Sequence, residues 1–541
     1  GIATAQYNYA DVFKLKYTKL FSKTSESATK IADGLAGSSD DWRIVYDLNW
    51  EERTLDIDQV NGDLKYAIAD VDNLFSFGGE HAIADLNQPN NVRYTYIRST
   101  TFDLVPYGDP YLDRYQPTNF LNLTSTDDMD AGYLKNKTML NIFSEDDYLE
   151  IGFNASEKTR ESRYNKYLMN QSSSSGQLTD DIDTIYDEHI RQIFDDTFNL
   201  SISFQPAYWY DAEVKESAEY ANVLIKPIEE IELLIGAKNV HFDQTVYQYT
   251  NNNNLFNPIE KVPESLEFEK TLPSLGLKYI FNRSNQVSFA YSQTYIVPDL
   301  REFASTEYFH PYEIATVKGN PNLVHTDIFS YDLKYSHYFS DSENINLGVF
   351  YKDLDNPIED TVDTRNALPL YSYENMDTAS LYGIEIDGRK SFNIISDDLS
   401  DFYFSGNLSY TKSDVTLTQE QESKYTSNHR ELQGLSPIVV NLALSYEIKG
   451  RNATLAYNKM SERIRKVGMI DYLDEYPDYY EVPPQMLDFI WIEEFDNGLS
   501  STFKVKNLLD EEVIWYQGDE EHVTNRFKIG KFYSVSVGYK F

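Results

Sequence analysis

Two groups of aromatic residues have the chemistry needed to bind an organic ligand. They are Tyr208, Trp209 and Tyr210 in the segment AYWY, and Tyr472, Tyr476, Tyr479 and Tyr480 in the segment YLDEYPDYY. Aromatic rings on loops over a pore can stack on sugars, on siderophore rings or on a partner protein. Packing of the same rings against neighbouring loops is the alternative, and the sequence leaves both interpretations open.

One compact group of basic residues, Arg463, Arg465 and Lys466, lies in another predicted loop. Guanidinium and ammonium groups bind carboxylates and phosphates, so this group could hold an anionic ligand or a lipopolysaccharide phosphate. The alternative is a solvated loop in which the three cations balance the nearby acids Asp471, Asp474 and Glu475.

Two acidic groups offer oxygen ligands at short spacing. They are Asp127, Asp128 and Asp130, and Asp180, Asp181, Asp183, Asp187 and Glu188. Calcium prefers several such oxygens, but neither group has the glycine and glutamate positions of an EF-hand loop. We therefore predict no required cofactor. Calcium at acidic outer loops is the alternative to a solvated acidic surface.

Catalytic motifs find little support in the chain. None of the eight histidines stands in H-E-x-x-H, and no G-x-S-x-G or phosphate-binding loop occurs in a fitting context. The absence of cysteine excludes thiolate nucleophiles, disulfides and cysteine-ligated zinc. Paired carboxylates carry almost no information in so acidic a chain. We therefore expect a protein that is not an enzyme.

Composition narrows the class of protein further. The 541 residues include 87 acids and 47 bases, which gives a net charge of −40. Nucleic-acid binding needs a basic face, so a nucleic-acid partner is excluded. Aromatic residues make up 15% of the chain, which is too many for a disordered acidic protein. No apolar run is long enough for a membrane helix, but alternating strands of a membrane barrel would not show as such a run.

Alternation of apolar and polar residues is the dominant pattern that positions these groups. At 531–541, Tyr533, Val535, Val537, Tyr539 and Phe541 share one face of a predicted strand, and Ser534, Ser536, Gly538 and Lys540 share the other. Segments 402–411 and 436–447 alternate in the same way. A strand with one apolar and one polar face is half-buried. A soluble sandwich would give this pattern too, so the connections must decide.

Short polar turns alternate along the chain with long polar loops. The short turns lie at 144–147, 226–230, 281–286, 339–343, 448–451 and 495–498, and the long loops near 163–211, 246–271, 297–326, 413–435, 461–484 and 509–529. Outer-membrane barrels sort their connections in this way. We predict an all-β fold, a transmembrane antiparallel β-barrel of roughly 18–22 strands with short periplasmic turns and long extracellular loops. Inside one long loop, residues 182–195 are predicted to form a short helix.

Several segments resemble, in order, the barrel region of the TonB-dependent outer-membrane receptors. They are 272–281 (LPSLGLKYIF), 287–303 (VSFAYSQTYIVPDLREF), 319–323 (GNPNL), 350–359 (FYKDLDNPIE), 381–385 (LYGIE) and 504–510 (KVKNLLD), with the final Phe541. The resemblance covers residues 74–541, and residues 1–73 are expected to add further barrel strands. The last strand, with Tyr533, Val535, Val537, Tyr539 and Phe541, resembles the signal that the barrel-insertion machinery recognises. That strand must also pair with the first to close the barrel.

The resemblance implies a place in the outer membrane of a Gram-negative bacterium, in contact with its lipid and lipopolysaccharide. It implies uptake of a scarce nutrient, such as a siderophore, cobalamin, haem or an oligosaccharide, driven by TonB. The family contacts TonB through a plug domain, and residues 1–541 contain none, so we expect the plug upstream or on another chain. The alternatives are a plugless barrel that docks a surface lipoprotein or another partner, and a passive channel.

Overall fold

The computed structural model describes residues 1–540 except 36–41, 101–105, 113–117, 172–197, 204–207, 250–260, 311–314, 364–369 and 471–474. Strands dominate, as the alternation predicts. In chain order they are β1 (Ile2–Tyr9), β2 (Phe13–Leu35), β3 (Trp42–Ile68), β4 (Val71–Thr100), β5 (Pro106–Leu112), β6 (Thr118–Met139), β7 (Tyr148–Gln171), β8 (Phe198–Ser203), β9 (Trp209–Ile228), β10 (Ile231–Tyr249), β11 (Lys261–Asn282), β12 (Asn285–Ile296), β13 (Glu307–His310), β14 (Ala315–Lys318), β15 (Thr326–Ser340), β16 (Glu343–Asp355), β17 (Ile358–Asp363), β18 (Leu370–Asn375), β19 (Thr378–Ser391), β20 (Phe402–Thr416), β21 (Ile438–Ile448), β22 (Arg451–Met460), β23 (Arg463–Lys466), β24 (Tyr479–Val482), β25 (Met486–Glu494), β26 (Leu499–Lys506), β27 (Glu512–Gln517), β28 (Val523–Lys528) and β29 (Phe532–Tyr539).

Helical structure is limited to single turns in the described ranges. These are α1 (Leu300–Phe303), α2 (Gln419–Glu422) and two 3₁₀ turns, Phe392–Ile394 and Asp397–Leu399. None of the helices among the described residues is long and apolar enough to span a membrane. The helix predicted at 182–195 lies outside the described residues.

One antiparallel sheet of 21 strands forms the body of the molecule. Its strands pair with their neighbours in chain order, while β5 and β8 are short additions beside β4 and β7. The predicted antiparallel barrel architecture is thereby confirmed. The last strand, β29, pairs with β26, and β1 pairs with β2. Within the described residues no ladder joins β29 to β1, so the predicted closing pair is not found there.

Alternation along the strands places apolar side chains on the outer face of this sheet. Leu333, Leu347 and Ile384 are exposed on neighbouring strands, whereas Ser336 and Asn346 on the opposite face are buried. Large apolar side chains exposed on every second position are what a lipid-facing barrel surface requires. The opposite, polar face is the lumen.

A ladder of tyrosines marks the end of the apolar surface nearest the long loops. Tyr291, Tyr331, Tyr351 and Tyr382 are direct cross-strand neighbours on β12, β15, β16 and β19. Their rings lie 5.1 Å apart for the first pair and 6.2 Å for the second. Tyrosine suits a membrane interface because its ring is apolar and its hydroxyl is polar.

All six predicted short turns join consecutive strands of the sheet, but the predicted long loops need correction. Four of them contain short strands, which are β8, β13 and β14, β23 and β24, and β27 and β28. Several strands also extend far past the apolar surface. β3 has 27 residues and β4 has 30, whereas a tilted strand crosses a bilayer with about 9–11.

Both long and short strands contain residues that the sequence places in loops. Asp127, Asp128 and Asp130 lie within β6, and Trp209 and Tyr210 begin β9. Arg463, Arg465 and Lys466 form β23, and Tyr479 and Tyr480 begin β24. These residues lie in strands rather than in loops because the alternation and the pairing of strands continue on the long-loop side, past the lipid-facing segment.

Candidate functional site

Two four-stranded sheets lie on the long-loop side of the barrel, and we call them the cap. The first cap sheet has the order β13–β14–β18–β17, and the second β23–β24–β27–β28. The Lys466 ammonium on the second sheet pairs with the Asp360 carboxylate on the first. Gln433 bridges the same junction, since it accepts from Asp360 N–H at 2.9 Å and donates to the Arg465 carbonyl at 2.8 Å.

A buried ion pair joins the first cap sheet to the connection after α2. Arg430 donates to both carboxylate oxygens of Glu359, at 3.1 and 2.5 Å, and the two side chains are only 2% and 3% exposed. Gln433 N–H donates to the same carboxylate at 2.9 Å. Charges are rarely buried unless they are paired in this way. The pair therefore fixes the position of this connection.

Asp478 joins three further parts of the cap. Its buried carboxylate accepts from Gly468 N–H at 2.7 Å and from the Ser427 hydroxyl at 2.6 Å. Gly468 lies directly against the backbone at Tyr476, since a Cβ on Gly468 would be 1.9 Å from the Tyr476 carbonyl oxygen. The cap is thus held by polar contacts between segments that are distant in sequence.

A segment between β12 and β15 packs on the lumen side of the barrel wall. Leu300 and Phe303 of α1 are buried against Val240 and Phe242 of β10. Asp299 caps α1, since its carboxylate accepts from Arg301 N–H at 2.9 Å. This segment therefore covers Val240 and Phe242 on the inner face of the wall.

The GNPNL motif has a packing role in that segment. A Cβ on Gly319 would lie 2.0 Å from the Ala304 carbonyl oxygen, so only glycine permits the observed approach. Asn320 N–H donates to the Glu302 carbonyl at 2.6 Å, and its side chain donates to the Tyr373 carbonyl at 2.8 Å. The motif therefore joins α1 to the first cap sheet.

The first predicted aromatic group is packed against the barrel wall. The Tyr208 ring lies 5.7 Å from that of Tyr164, and the Trp209 indole lies 6.0 Å from the Tyr249 ring. Tyr210 is buried in the apolar cluster around β10. These three contacts agree with the alternative given above, in which the aromatic rings pack against neighbouring parts of the protein instead of a ligand.

The second aromatic group belongs to the cap. The Tyr480 ring stacks on that of Tyr516 at 5.2 Å, and Tyr479 pairs across the strands with Gln517. Tyr476 N–H donates to the Met469 carbonyl at 2.9 Å. Tyr472 lies outside the described residues.

The three basic residues are directed to three different neighbours. Arg463 donates to Glu481 at 2.8 Å, and the Arg465 guanidinium lies 3.6 Å from the centroid of the Trp515 ring. Burial lowers the pKa of Arg465 to about 10. Burial also lowers the pKa of Lys466, against the raising effect of Asp360. The three cations do not converge on one point.

The first acidic group is divided between the two faces of β6. Asp127 faces the lumen and accepts two bonds from Arg160, at 2.5 and 2.6 Å. Asp128 and Asp130 lie on the outer face, where their oxygens are 3.6 and 3.0 Å from His81 Nδ1. Those three donor atoms lie within 4.8 Å of one another, a spacing that a cation would accept. The second acidic group lies outside the described residues.

A row of four asparagines and one aspartate on the lumen face is a feature that sequence reasoning missed. Asn346, Asp387, Asn407, Asn441 and Asn458 are direct cross-strand neighbours on β16, β19, β20, β21 and β22. Each occupies a polar position of an alternating strand. Only the register, which follows from the lengths of the turns, aligns them.

The residues of the predicted assembly signal share the outer face of β29. Tyr533, Val535, Val537 and Tyr539 are all exposed there. Phe541 lies outside the described residues. Recognition of this strand by the barrel-insertion machinery stays a prediction.

Comparison with known proteins identifies the family. The family model for the TonB dependent receptor-like β-barrel matches residues 4–508. No curated protein matches the chain.

Among solved structures, the copper transporter OprC is 13% identical, with a TM-score of 0.54 over 100% of this chain and 79% of that one. The pyoverdine receptor FpvA from Pseudomonas aeruginosa PAO1 is 12% identical, with a TM-score of 0.52 over 100% and 76%. The siderophore receptor PiuA from Acinetobacter baumannii is 11% identical, with a TM-score of 0.52 over 99% and 78%. At these identities the likeness shows the fold, and these neighbours are receptors and transporters rather than enzymes. The chain belongs to the TonB-dependent receptor β-barrel family of the Gram-negative outer membrane.

Proposed function

We propose that this barrel forms the wall and outer ligand-contact surface of a receptor for TonB-driven uptake of a scarce nutrient. The match of the family model over residues 4–508 is the observation that carries the proposal. No residue described here is assigned to energy coupling.

The cap supports this proposal as a preformed outer surface. Its sheets are held by the Glu359–Arg430 pair and by the Asp478 contacts. A binding surface held in one geometry loses little conformational entropy when a ligand binds. Siderophores, cobalamin, haem and oligosaccharides are the ligand classes to test, with copper added because one structural neighbour is a copper transporter.

The test is growth on, and uptake of, each of these nutrients in the native organism. Strains with and without the gene are compared in the presence and absence of functional TonB. We expect one nutrient class to be taken up only when both are present. Uptake that persists without TonB would favour the passive channel instead.

A barrel that docks a partner protein is the second candidate function, and the length of strands β3 and β4 favours it. The outer face of β3 and β4 extends well beyond the length needed to cross the bilayer. A surface lipoprotein could bind there. Co-purification of one stoichiometric partner from outer membranes, lost when the outer face of β4 is altered, is the expected result for this candidate.

A further inference from the structure

A histidine and two carboxylates form a compact cluster on the outer face of the wall. His81 of β4 pairs across the ladder with Asp130 of β6, and Asp128 lies two positions away along β6, on the same face. The Nδ1 atom of His81 lies 3.0 Å from Asp130 Oδ1 and 3.6 Å from Asp128 Oδ1. Two paired strands therefore hold the three donor groups side by side.

The cluster faces away from the lumen. Asp128 and Asp130 alternate in phase with Leu134 of β6, which is 52% exposed on the lipid-facing surface. The side chains of His81, Asp128 and Asp130 are themselves 46%, 52% and 76% exposed. Access to the cluster therefore does not depend on what fills the barrel interior.

The spacing of the donor atoms fits a small divalent cation. Nitrogen and oxygen ligands that lie about 2.0–2.2 Å from an ion in tetrahedral or octahedral geometry are about 2.8–3.6 Å apart. The two separations from Nδ1, at 3.0 and 3.6 Å, lie at this spacing. All three donor atoms lie within 4.8 Å of one another, so small rotations of exposed side chains would bring them onto one ion.

A hydrogen bond between His81 and Asp130 is the alternative account of the cluster, and it leaves one carboxylate over. Nδ1 carries at most one proton, and at 3.6 Å Asp128 is too far for a second bond. Asp128 has no other polar partner among the residues that the structure describes. A divalent cation would use the imidazole and both carboxylates together.

The basic residues beside the cluster already have acidic partners. Lys19 pairs with Asp58 on one side of the cluster, and Lys215 pairs with Glu157 on the other. Neither ammonium is left to neutralise the two aspartates of the cluster.

The level of the cluster in the membrane also favours a cation. His81 lies ten positions after Val71, where β4 begins, and Asp130 lies nine before Met139, where β6 ends. A tilted strand crosses the hydrocarbon with about 9–11 residues, so the cluster lies where the wall meets the headgroups. Lipopolysaccharide phosphates are anionic, and a cation between them and the aspartates would replace repulsion by attraction.

The mixed donor set selects the class of metal. Imidazole nitrogen suits Zn²⁺ and its first-row neighbours, whereas Ca²⁺ and Mg²⁺ prefer oxygen ligands alone. We propose that His81, Asp128 and Asp130 bind a divalent first-row transition metal such as Zn²⁺ on the outer face of the wall. The site goes beyond the proposed function, because a metal held on the outer face takes no part in passage through the lumen.

The experiment measures Zn²⁺ binding by isothermal titration calorimetry. It uses the native protein extracted from outer membranes in detergent, without an oligohistidine tag. His81→Ala should weaken binding by about 100-fold or more, because even a partner behind a metal ligand is worth about 10- to 100-fold. The double variant Asp128→Asn with Asp130→Asn should do the same. Heat-modifiable migration on gels confirms that each variant is folded.

His241→Ala is the matched control. The His241 side chain is also 46% exposed on the outer face, with Glu219 and Glu269 at 3.8 and 3.6 Å. These two acids face different ring nitrogens, so no single nitrogen can join both of them on one ion. The control should therefore keep the wild-type affinity for Zn²⁺.

Four results would overturn the proposal. The first three are absence of Zn²⁺ binding to the wild type, wild-type affinity in His81→Ala, and an equal loss of affinity in His241→Ala. The fourth is displacement of Zn²⁺ by an equal concentration of Ca²⁺, since the aspartates would then behave as an ordinary acidic surface.

Discussion

Replacing Arg430 with methionine should release the connection that follows α2. The substitution keeps most of the side-chain volume but leaves the Glu359 carboxylate, which is 3% exposed, without its cation. Breaking a buried pair from one side costs about 3–5 kcal/mol. That cost corresponds to a roughly 100- to 4,000-fold increase in local opening, at about 1.4 kcal/mol for each factor of ten.

Hydrogen exchange of backbone amides measures this opening directly. Gln433 N–H donates to Glu359, and Val415 N–H donates to the Arg430 carbonyl, so peptides that contain them should lose protection. Arg526→Met is the matched control in the same cap. Its pair with Glu512 is long, at 3.5 Å, and exposed, so its loss should cost at most about 1 kcal/mol.

The double variant Glu359→Gln with Arg430→Met separates charge burial from packing. Removing both charges should restore much of the protection, because no unpaired charge then remains buried. If Arg430→Met exchanged within threefold of the wild type over residues 413–435, the pair would not fasten the cap and our account of it would be wrong.

Three further predictions test other parts of the structure. Gly319→Ala should lower the stability of the fold by about 1–3 kcal/mol or more, because its Cβ would lie 2.0 Å from a carbonyl oxygen, and faster proteolysis near α1 would show this loss. Gly79→Ala is the control and should not lower stability, because its Cβ would lie 3.9 Å from the nearest atom. Val537→Arg places a charge on the exposed outer face of β29 and should destabilise the folded barrel in outer membranes by up to about 2–4 kcal/mol. Ser536→Arg on the opposite face should be tolerated, and the reverse order of effects would refute the assignment of faces. The Lys390 ammonium, followed by the Ser391 donors, holds the pKa of Glu343 at about 2, below its ordinary 4.5. Because this pKa is depressed, the stability that Glu343 contributes is present above pH 4.5 and is lost as the pH falls towards 2, so the unfolding free energies of wild type and Glu343→Gln should converge over that range.

The barrel itself could be predicted because its signals are local. Alternation at 531–541 and the turn at 495–498 each lie within a few residues, and strands with short turns leave little freedom in pairing. The cap could not be predicted in the same way. β24 has four residues and pairs with β27, more than thirty residues later, so its alternation is too short to recognise and its partner too distant.

The contacts of the candidate site could not be predicted from the sequence, for a related reason. Glu359 and Arg430 are 71 residues apart, and neither differs by type from the many other charged residues of the chain. The lumen asparagines are recognisable only after the register of five strands is known. Residue types therefore suggested aromatic and basic ligand sites, while the structure places those residues largely in packing and paired contacts.

The position of acidic residues also changes what the net charge of −40 implies. Asp58, Asp130, Glu157, Asp243 and Glu267 belong to one cross-strand row on β3, β6, β7, β10 and β11. Their positions alternate in phase with the exposed Val60, Phe153 and Ile235, which places the row on the outer face beyond the apolar surface. Part of the acidity thus faces away from the lumen. On the lumen face, the row formed by Asn346, Asp387, Asn407, Asn441 and Asn458 carries one carboxylate among its five members, so the net charge of the chain does not describe that part of the wall.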